Sequence, residues 1–310
     1  MRIMVAEYSV GSREIDERSV SLQREGRAML NTLKRSFERL GNEVVSPVRA
    51  RDFEAAVDKL SKDSDAGIVI APDEMLLPLT EIVESNTVNL GCPSDCVRTC
   101  ADKLRTTKIL AEAGIPVPAI VTDAWLPGRR YVTKPRYGCA SEDIFVREID
   151  GDGNSALGED YEPGHGDGFI TTEYIEGEDI SSSVVAGSSR ILPLTVNKQF
   201  IQMEHTGRLR YMGGVVPYHV DAETEREIRD MSKQIVAALG CTGYVGIDFV
   251  RSEGARRAYV VDVNPRPTTS IVGIARVLNY ELGGLLLSAK FGSLPGEEDI
   301  KTEGCFIFHL

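Results

Sequence analysis

The chain has 310 residues, 42% of them hydrophobic, which is enough apolar sequence for two or three lobes around a sizeable core. Its 35 basic and 47 acidic side chains leave a formal charge of −12, which argues against general binding to nucleic acid or to a membrane surface. No apolar run approaches about 18 residues, so no spanning helix is expected, and residues 1–7 turn acidic too soon for a leader, so the expectation is a cytoplasmic protein.

Residues 3–8 predict a first strand. Leu22, Met29, Leu30, Leu33, Phe37 and Leu40 recur at helical spacing, with Gly41 as a stop. Val44 and Val45 predict a strand, residues 53–60 a helix, residues 66–70 a buried strand and residues 87–90 another. Such alternation predicts a parallel sheet covered by helices. No Gly-x-Gly-x-x-Gly follows the first strand, so a dinucleotide fingerprint is absent. The polar residues 9–22 predict a loop over the carboxyl ends of the strands, where open α/β sheets bind ligands.

Residues 102–113 predict a helix stopped at Gly114, and Pro116 and Pro118 force an extended crossing into a new lobe. Residues 121–173 carry strand signals and a polar, glycine-rich run at 151–168 that predicts a long loop. Farther on, Asp221 predicts the cap of a helix whose apolar face is Ile228, Met231, Ile235 and Leu239. The expected domains are therefore 1–95, 96–173 and 174–310. Cys92, Cys96 and Cys100 are spaced to share one face of a helix. A soft metal or an iron–sulfur cluster is conceivable there, but the spacing matches no common cluster motif and no fourth ligand stands close in sequence. All six cysteines are read as free thiols, and Cys92, Cys96 and Cys100 as thiols packed as small apolar groups. His165, His205, His219 and His309 form no paired metal motif.

The most informative stretches are Gly246-Ile247-Asp248-Phe249-Val250 and Tyr259-Val260-Val261-Asp262-Val263-Asn264-Pro265-Arg266-Pro267. Both read as strands, and a hairpin centred near Ala255 puts Asp248 opposite Asp262. Alternation then places Asp262 and Asn264 on one face, with Arg266 just beyond. Buried acids this close repel unless a cation joins them, and hard oxygen donors suit Mg²⁺. At the strand end Arg266 can clamp an oxygen that gains negative charge. Thr268, Thr269 and Ser270 open a further helix, whose N–H groups favour an anion.

Lys134 reads as lying near a strand end, followed by the small and flexible Gly138, Cys139, Ala140 and Ser141. Backbone N–H groups of such a loop can surround phosphate oxygens while the lysine adds a point charge. Lys103, at the start of its helix, is a second candidate for phosphate contact. Residues 172–179 read either as an extended connector able to pair with a purine edge or as a plain acidic linker.

In this order, over roughly residues 95–290, the motifs resemble the ATP-grasp superfamily, most specifically through Asp248, Asp262, Asn264 and Arg266. The first ninety or so residues resemble the domain that usually precedes it. The resemblance implies an ATP-grasp fold, α/β and α+β, with an N-terminal parallel-sheet domain and ATP held between two lobes. It implies phosphate contacts from Lys103 and Lys134, a lid from Gly138, Cys139, Ala140 and Ser141, adenine contacts from Glu173, Tyr174 and Ile175, and ribose binding by Asp179. It also implies one or two Mg²⁺ ions, or Mn²⁺, on Asp248, Asp262 and Asn264, with Lys134 and Arg266 as the catalytic side chains. Many relatives have Glu where Asp262 stands, and the shorter arm bears on whether a second ion is held.

Ala6-Glu7-Tyr8, Glu25-Gly26-Arg27-Ala28-Met29-Leu30 and residues 264–270 resemble a smaller group of archaeal and methylotroph ligases, which includes one that joins L-glutamate to tyramine in methanofuran biosynthesis. What this implies is an ADP-forming carboxylate–amine ligase working through an acyl phosphate on small-molecule substrates. A homodimer is compatible with it. Candidate substrate contacts are Glu7, Tyr8 and Ser9 at the end of the first strand, Lys198, Arg208, Arg210 and Gly213, and Thr268. The basic members read equally well as solvated charges. Another acid or amine (a dipeptide or pyrrolysine-type ligase, or a carboxylase) stays open, as does a nucleotide-binding regulatory protein without turnover.

Overall fold

The computed structural model describes residues 1–13, 20–122, 125–138, 144–150, 168–252 and 254–309. Cys139, Ala140, Ser141, His165 and residues 151–167 of the glycine-rich run lie outside the described residues. The first sheet is built from β1 (Arg2–Glu7), β2 (Glu43–Val45), β3 (Ala66–Ile70) and β4 (Val88–Asn89), all parallel and ordered β2-β1-β3-β4. Its helices are α1 (Tyr8–Gly11), α2 (Val20–Arg39), α3 (Phe53–Lys62) and α4 (Asp73–Asn86).

Side-chain alternation in β1 explains the layering. Ile3 and Val5 join Leu30, Leu33 and Phe37 of α2 in one core, whereas Met4 and Ala6 join Val57 of α3 and Leu79 and Val83 of α4 in the other. Two details differ from the sequence expectations. Part of the expected loop at 9–22 is helical, because the Glu7 carboxylate accepts from Ser9 and Val10 N–H and so caps α1. The helix α4, with Pro78 inside it, carries no element in the sequence reading.

Next come α5 (Ser94–Ala101) and α6 (Lys103–Glu112), separated only by Asp102, which caps α6 by accepting from Arg105 N–H at 3.1 Å. Cys92 precedes α5, so the expected three-cysteine helix face is corrected to Cys96 and Cys100 alone. The expectation of six free thiols is also corrected. Cys96 is joined to Cys241 in a disulfide across 145 residues, since folding brings the loop after α7 (Ala222–Ala238) against α5.

An antiparallel sheet ordered β6-β5-β7 follows, from β5 (Arg130–Pro135), β6 (Phe145–Glu148) and β7 (Phe169–Glu173). The largest sheet is antiparallel and ordered β12-β11-β8-β9-β10-β13. Its strands are β8 (Glu178–Ala186), β9 (Ile191–Met203), β10 (Leu209–Val216), β11 (Gly243–Ser252), β12 (Arg257–Asn264) and β13 (Phe306–His309). The helix α7, capped by Asp221 as its sequence predicts, covers one face with Ile228 and Ile235 buried. α8 (Ile271–Val277) and α9 (Leu282–Phe291) lie on the other side with α2. A Cβ on Gly283 would stand 2.7 Å from the Phe37 ring, so the missing side chain lets α9 press against α2 and seat the first sheet on the largest one. No helix of the described residues is long and apolar enough to cross a membrane.

Candidate active site

The hairpin β11–β12 pairs Asp248 with Asp262 and Gly246 with Asn264, and its register shifts immediately after Asp248. All three polar side chains line a cavity of about 710 Å³ that reaches from the first sheet to both antiparallel sheets. Gln199 Nε2 donates to one Asp248 oxygen at 2.9 Å and Asn264 Nδ2 to the other at 3.1 Å. Burial, reinforced by the Asp262 charge, still pushes the Asp248 carboxyl up to about 7. Burial works on Asp262 as well, but the charges of Lys103, Lys134 and Arg266, with the Val263 N–H, outweigh it and hold this carboxyl below its ordinary value. Two facing acids and an amide, all hard oxygen donors in a buried corner, fit a divalent cation of the Mg²⁺ class.

Positive charge arrives from three other elements. Lys134, buried near the end of β5, donates to the Val261 carbonyl of β12. Burial lowers its pKa, and Asp262 opposes that shift. Lys103, the first residue of α6, donates to the Gly138 carbonyl and pairs with Asp73 at 3.3 Å. Arg136 Nε and Nη2 donate to the Asp102 oxygens at 2.8 and 2.7 Å, which ties the segment leading to Gly138 onto the start of α6. Arg266 Nη1 donates to the Pro267 carbonyl at 3.4 Å, and its Nε is buried with no hydrogen-bond partner among the described residues. A buried guanidinium N–H left in this way suits an anionic ligand.

At one end of the cavity stand Glu173, Tyr174, Ile175 and Asp179. Burial raises the Asp179 carboxyl to about 6, against the pull of Lys198. At the other end α2 presents Leu22, Glu25 and Met29, one helical face, beside Glu7 and Ser9. Ser9 Oγ lies 2.8 and 3.0 Å from the Glu7 carboxylate oxygens, and Thr269 Oγ1 donates to Glu25 at 3.0 Å. Burial raises the pKa of both acids, and Arg266 opposes it in each.

A family model of the ATP-grasp domain matches residues 100–270, more than half of the chain. The chain belongs to the ATP-grasp family. It is 26% identical over 310 residues to tyramine–L-glutamate ligase of Methanocaldococcus jannaschii, covering 92% of this chain and 88% of that one. It is 27% identical over 285 residues to D-alanine–D-alanine ligase of Desulforudis audaxviator, covering 83% and 87%. The crystal structure of an ATP-grasp superfamily protein from Archaeoglobus fulgidus superposes with a TM-score of 0.76 at 25% identity, over 100% of this chain and 99% of that one.

In this ATP-grasp chain the cavity wall gathers most of the residues singled out from sequence: Glu7, Ser9, Lys103, Lys134, Gly138, Glu173, Tyr174, Ile175, Asp179, Arg208, Arg210, Asp248, Asp262, Asn264, Arg266 and Thr268. Tyr8, Lys198 and Gly213 lie off it. Tyr8 packs edge-on against Phe53, Lys198 pairs with Glu178 at 2.9 Å, and Gly213 backs onto Phe308 and His309 of β13. Arg210, although on the wall, pairs with Glu204 at 3.4 Å. Sequence reasoning assigned no role to Gln199 or Glu25. For Glu25 the signal was present, since it lies between Leu22 and Met29 at helical spacing. For Gln199 the sequence offered no signal, since Lys198 beside it was singled out for its charge and only strand pairing decides which of the two faces the site.

Proposed function

We propose that this ATP-grasp carboxylate–amine ligase joins the γ-carboxylate of L-glutamate to tyramine, releasing ADP and phosphate. The observation that carries the reading is the convergence of Asp248, Asp262, Asn264, Lys103, Lys134 and Arg266 on one cavity, in a chain similar over nearly its whole length to a tyramine–L-glutamate ligase. Asp248, Asp262 and Asn264 would hold Mg²⁺, which when bound draws charge from the phosphoryl group being transferred. Lys103 and Lys134 neutralise phosphate oxygens and keep the terminal phosphorus in line with the substrate carboxylate. That carboxylate attacks phosphorus, ADP leaves, and an acyl phosphate results. The amine nitrogen then attacks the acyl carbon, and phosphate leaves with the bond to carbon broken. Arg266 faces the oxygen that gains charge in this second step. Glu7 and Glu25, acids whose pKa burial raises, bind the incoming ammonium group and accept its proton. Leu22 and Met29 on the same wall suit an aromatic ring.

A dipeptide-type ligation is the second reading, favoured by the similarity to D-alanine–D-alanine ligase. The test incubates purified protein with Mg-ATP, ¹⁸O-labelled L-glutamate and a panel of amines and amino acids. The expected result is γ-glutamyltyramine by mass, ADP, and one ¹⁸O atom in the released phosphate. A D-alanyl or other amino-acid amide in its place selects the second reading. Tight ATP binding without phosphate release for every pair would overturn both in favour of a regulatory role.

A further inference from the structure

Cys92, Cys96, Cys100 and Cys241 form a buried cluster, and none of them lines the ATP cavity. The sulfurs of Cys92, Cys96 and Cys241 all lie within 4.8 Å of one another, and the Cys100 sulfur stands 3.9 Å from that of Cys96. In the tetrahedral sulfur shell of a single soft cation, metal–sulfur bonds of about 2.3 Å put the sulfurs about 3.8 Å apart. The sulfurs of Cys92, Cys96 and Cys241 are therefore close enough to share such a shell. Cys100 lies outside that mutual group and, one helical turn from Cys96, completes the shell by rotation of its side chain, while Cys241 is the ligand that sequence spacing could not supply.

The surroundings are those of a built site. A Cβ on Gly243, where φ is +78°, would lie 2.7 Å from the Gly91 backbone, so only glycine lets these two loops close around Cys92 and Cys241. The Cys92 thiol donates to the Tyr244 carbonyl of β11 at 3.4 Å, which fixes where this sulfur sits. Cys241 also forms part of the wall of a surface cavity of about 580 Å³, which gives an ion and a reductant a way in.

We propose that these four cysteines are a second metal site, for one zinc-class ion, in the reduced protein. Disulfide and ion exclude each other. A dithiol reductant attacks one sulfur of the Cys96–Cys241 bond, two electrons pass to the pair, the reductant leaves as its own disulfide, and two thiols remain. Binding of the ion then releases one proton from each thiol that ligates it. The ion pins α5, which runs directly into Asp102 and Lys103, to the loop that leads into β11 and Asp248.

The test titrates the full-length protein with Co²⁺ after reduction by dithiothreitol and its removal under anaerobic conditions. The expected result is one equivalent bound with thiolate-to-cobalt charge-transfer absorption and the visible bands of tetrahedral coordination, both displaced by Zn²⁺. These bands persist in Asp262→Ala, which separates them from the carboxylate site, and in Cys305→Ser, whose thiol is exposed. They are lost in Cys92→Ser and in the oxidised protein. Reduced wild-type protein that is folded by circular dichroism yet gives no thiolate–cobalt absorption overturns the proposal, as do bands that survive in Cys92→Ser. The wild-type spectrum decides the matter even where a cysteine variant fails to fold.

Discussion

Asp248 and Asp262 face each other across the β11–β12 ladder, and their carboxyl groups are driven in opposite directions, one up to about 7 and the other below its ordinary value. The asymmetry arises because Asp262 receives the charges of Lys103 and Lys134 most strongly, whereas Asp248 bears the full burial and the repulsion of its neighbour. Asp262→Ala removes the fully ionised member of the cation site. The expected outcome is a fall in Mg²⁺-dependent turnover of roughly 10²–10³-fold or more, with the unfolding temperature little changed. Steady-state ADP release together with a thermal melt checks both halves, and full activity in the variant would refute the metal assignment.

The position of Asp248 also fixes a pH dependence. In the unfolded chain this carboxyl loses its proton near 3.8, and in the fold it keeps it to about 7. Between those values the folded state binds more protons, so this group's contribution to stability falls as pH rises from about 4 to about 7. An ion at the site must displace that proton below pH 7. Stabilisation by added Mg²⁺ is therefore expected to be larger near pH 8 than near pH 6, read as the shift in unfolding temperature with and without MgCl₂. Equal shifts at the two pH values would show that Asp248 is not coupled to the ion.

The Asp102–Arg136 pair has the opposite sign. Hydrogen bonds from Arg136 hold the Asp102 carboxyl down at about 2, against an ordinary 3.8. The stability this supplies is fully present above about pH 4 and is lost as pH falls toward 2. Arg136→Met is expected to cost about 1–2 kcal/mol in urea unfolding at neutral pH and to flatten the acid limb of the stability curve. The KM for ATP should rise as well, because the Arg136 side chain ties to Asp102 the segment whose backbone carbonyl accepts from the Lys103 N–H at 3.0 Å and helps seat that lysine.

What was legible in the sequence was whatever short-range periodicity controls. The opposition of Asp248 and Asp262 followed from two apolar strands and the turn between them, and the core face of α2 from residues such as Leu33 and Phe37. Contacts made across long loops were not legible. Cys241 reaches α5 from 145 residues away, and no local pattern at either end records it. Lys198 and Gln199 show a subtler limit. Alternation says that the two face opposite ways, but only the pairing of β9 with β8 decides that Gln199 is the one that meets Asp248. The helix α4, given no element from sequence, holds Pro78 in its interior because burial of Leu76, Leu79 and Val83 outweighs the break that proline favours.

Gly26 offers a test of the acceptor pocket that leaves every charge in place. It lies on the α2 face turned toward Glu7, and a Cβ there would fall 2.3 Å from Glu7 Oε1 and from Ser9 Oγ. Alanine is favoured over glycine within a helix by about 1 kcal/mol, so Gly26→Ala does not weaken α2 itself. The Glu7 carboxylate must move instead, giving up its hydrogen bonds to Ser9 and Val10. If Glu7 and Glu25 bind the ammonium group, Gly26→Ala and Glu25→Gln should each raise the KM for the amine by about tenfold while the KM for ATP stays within about twofold. Equal amine KM values in wild type and both variants would remove the two acids from the acceptor pocket. A rise confined to ATP would place them on the nucleotide side of the cavity.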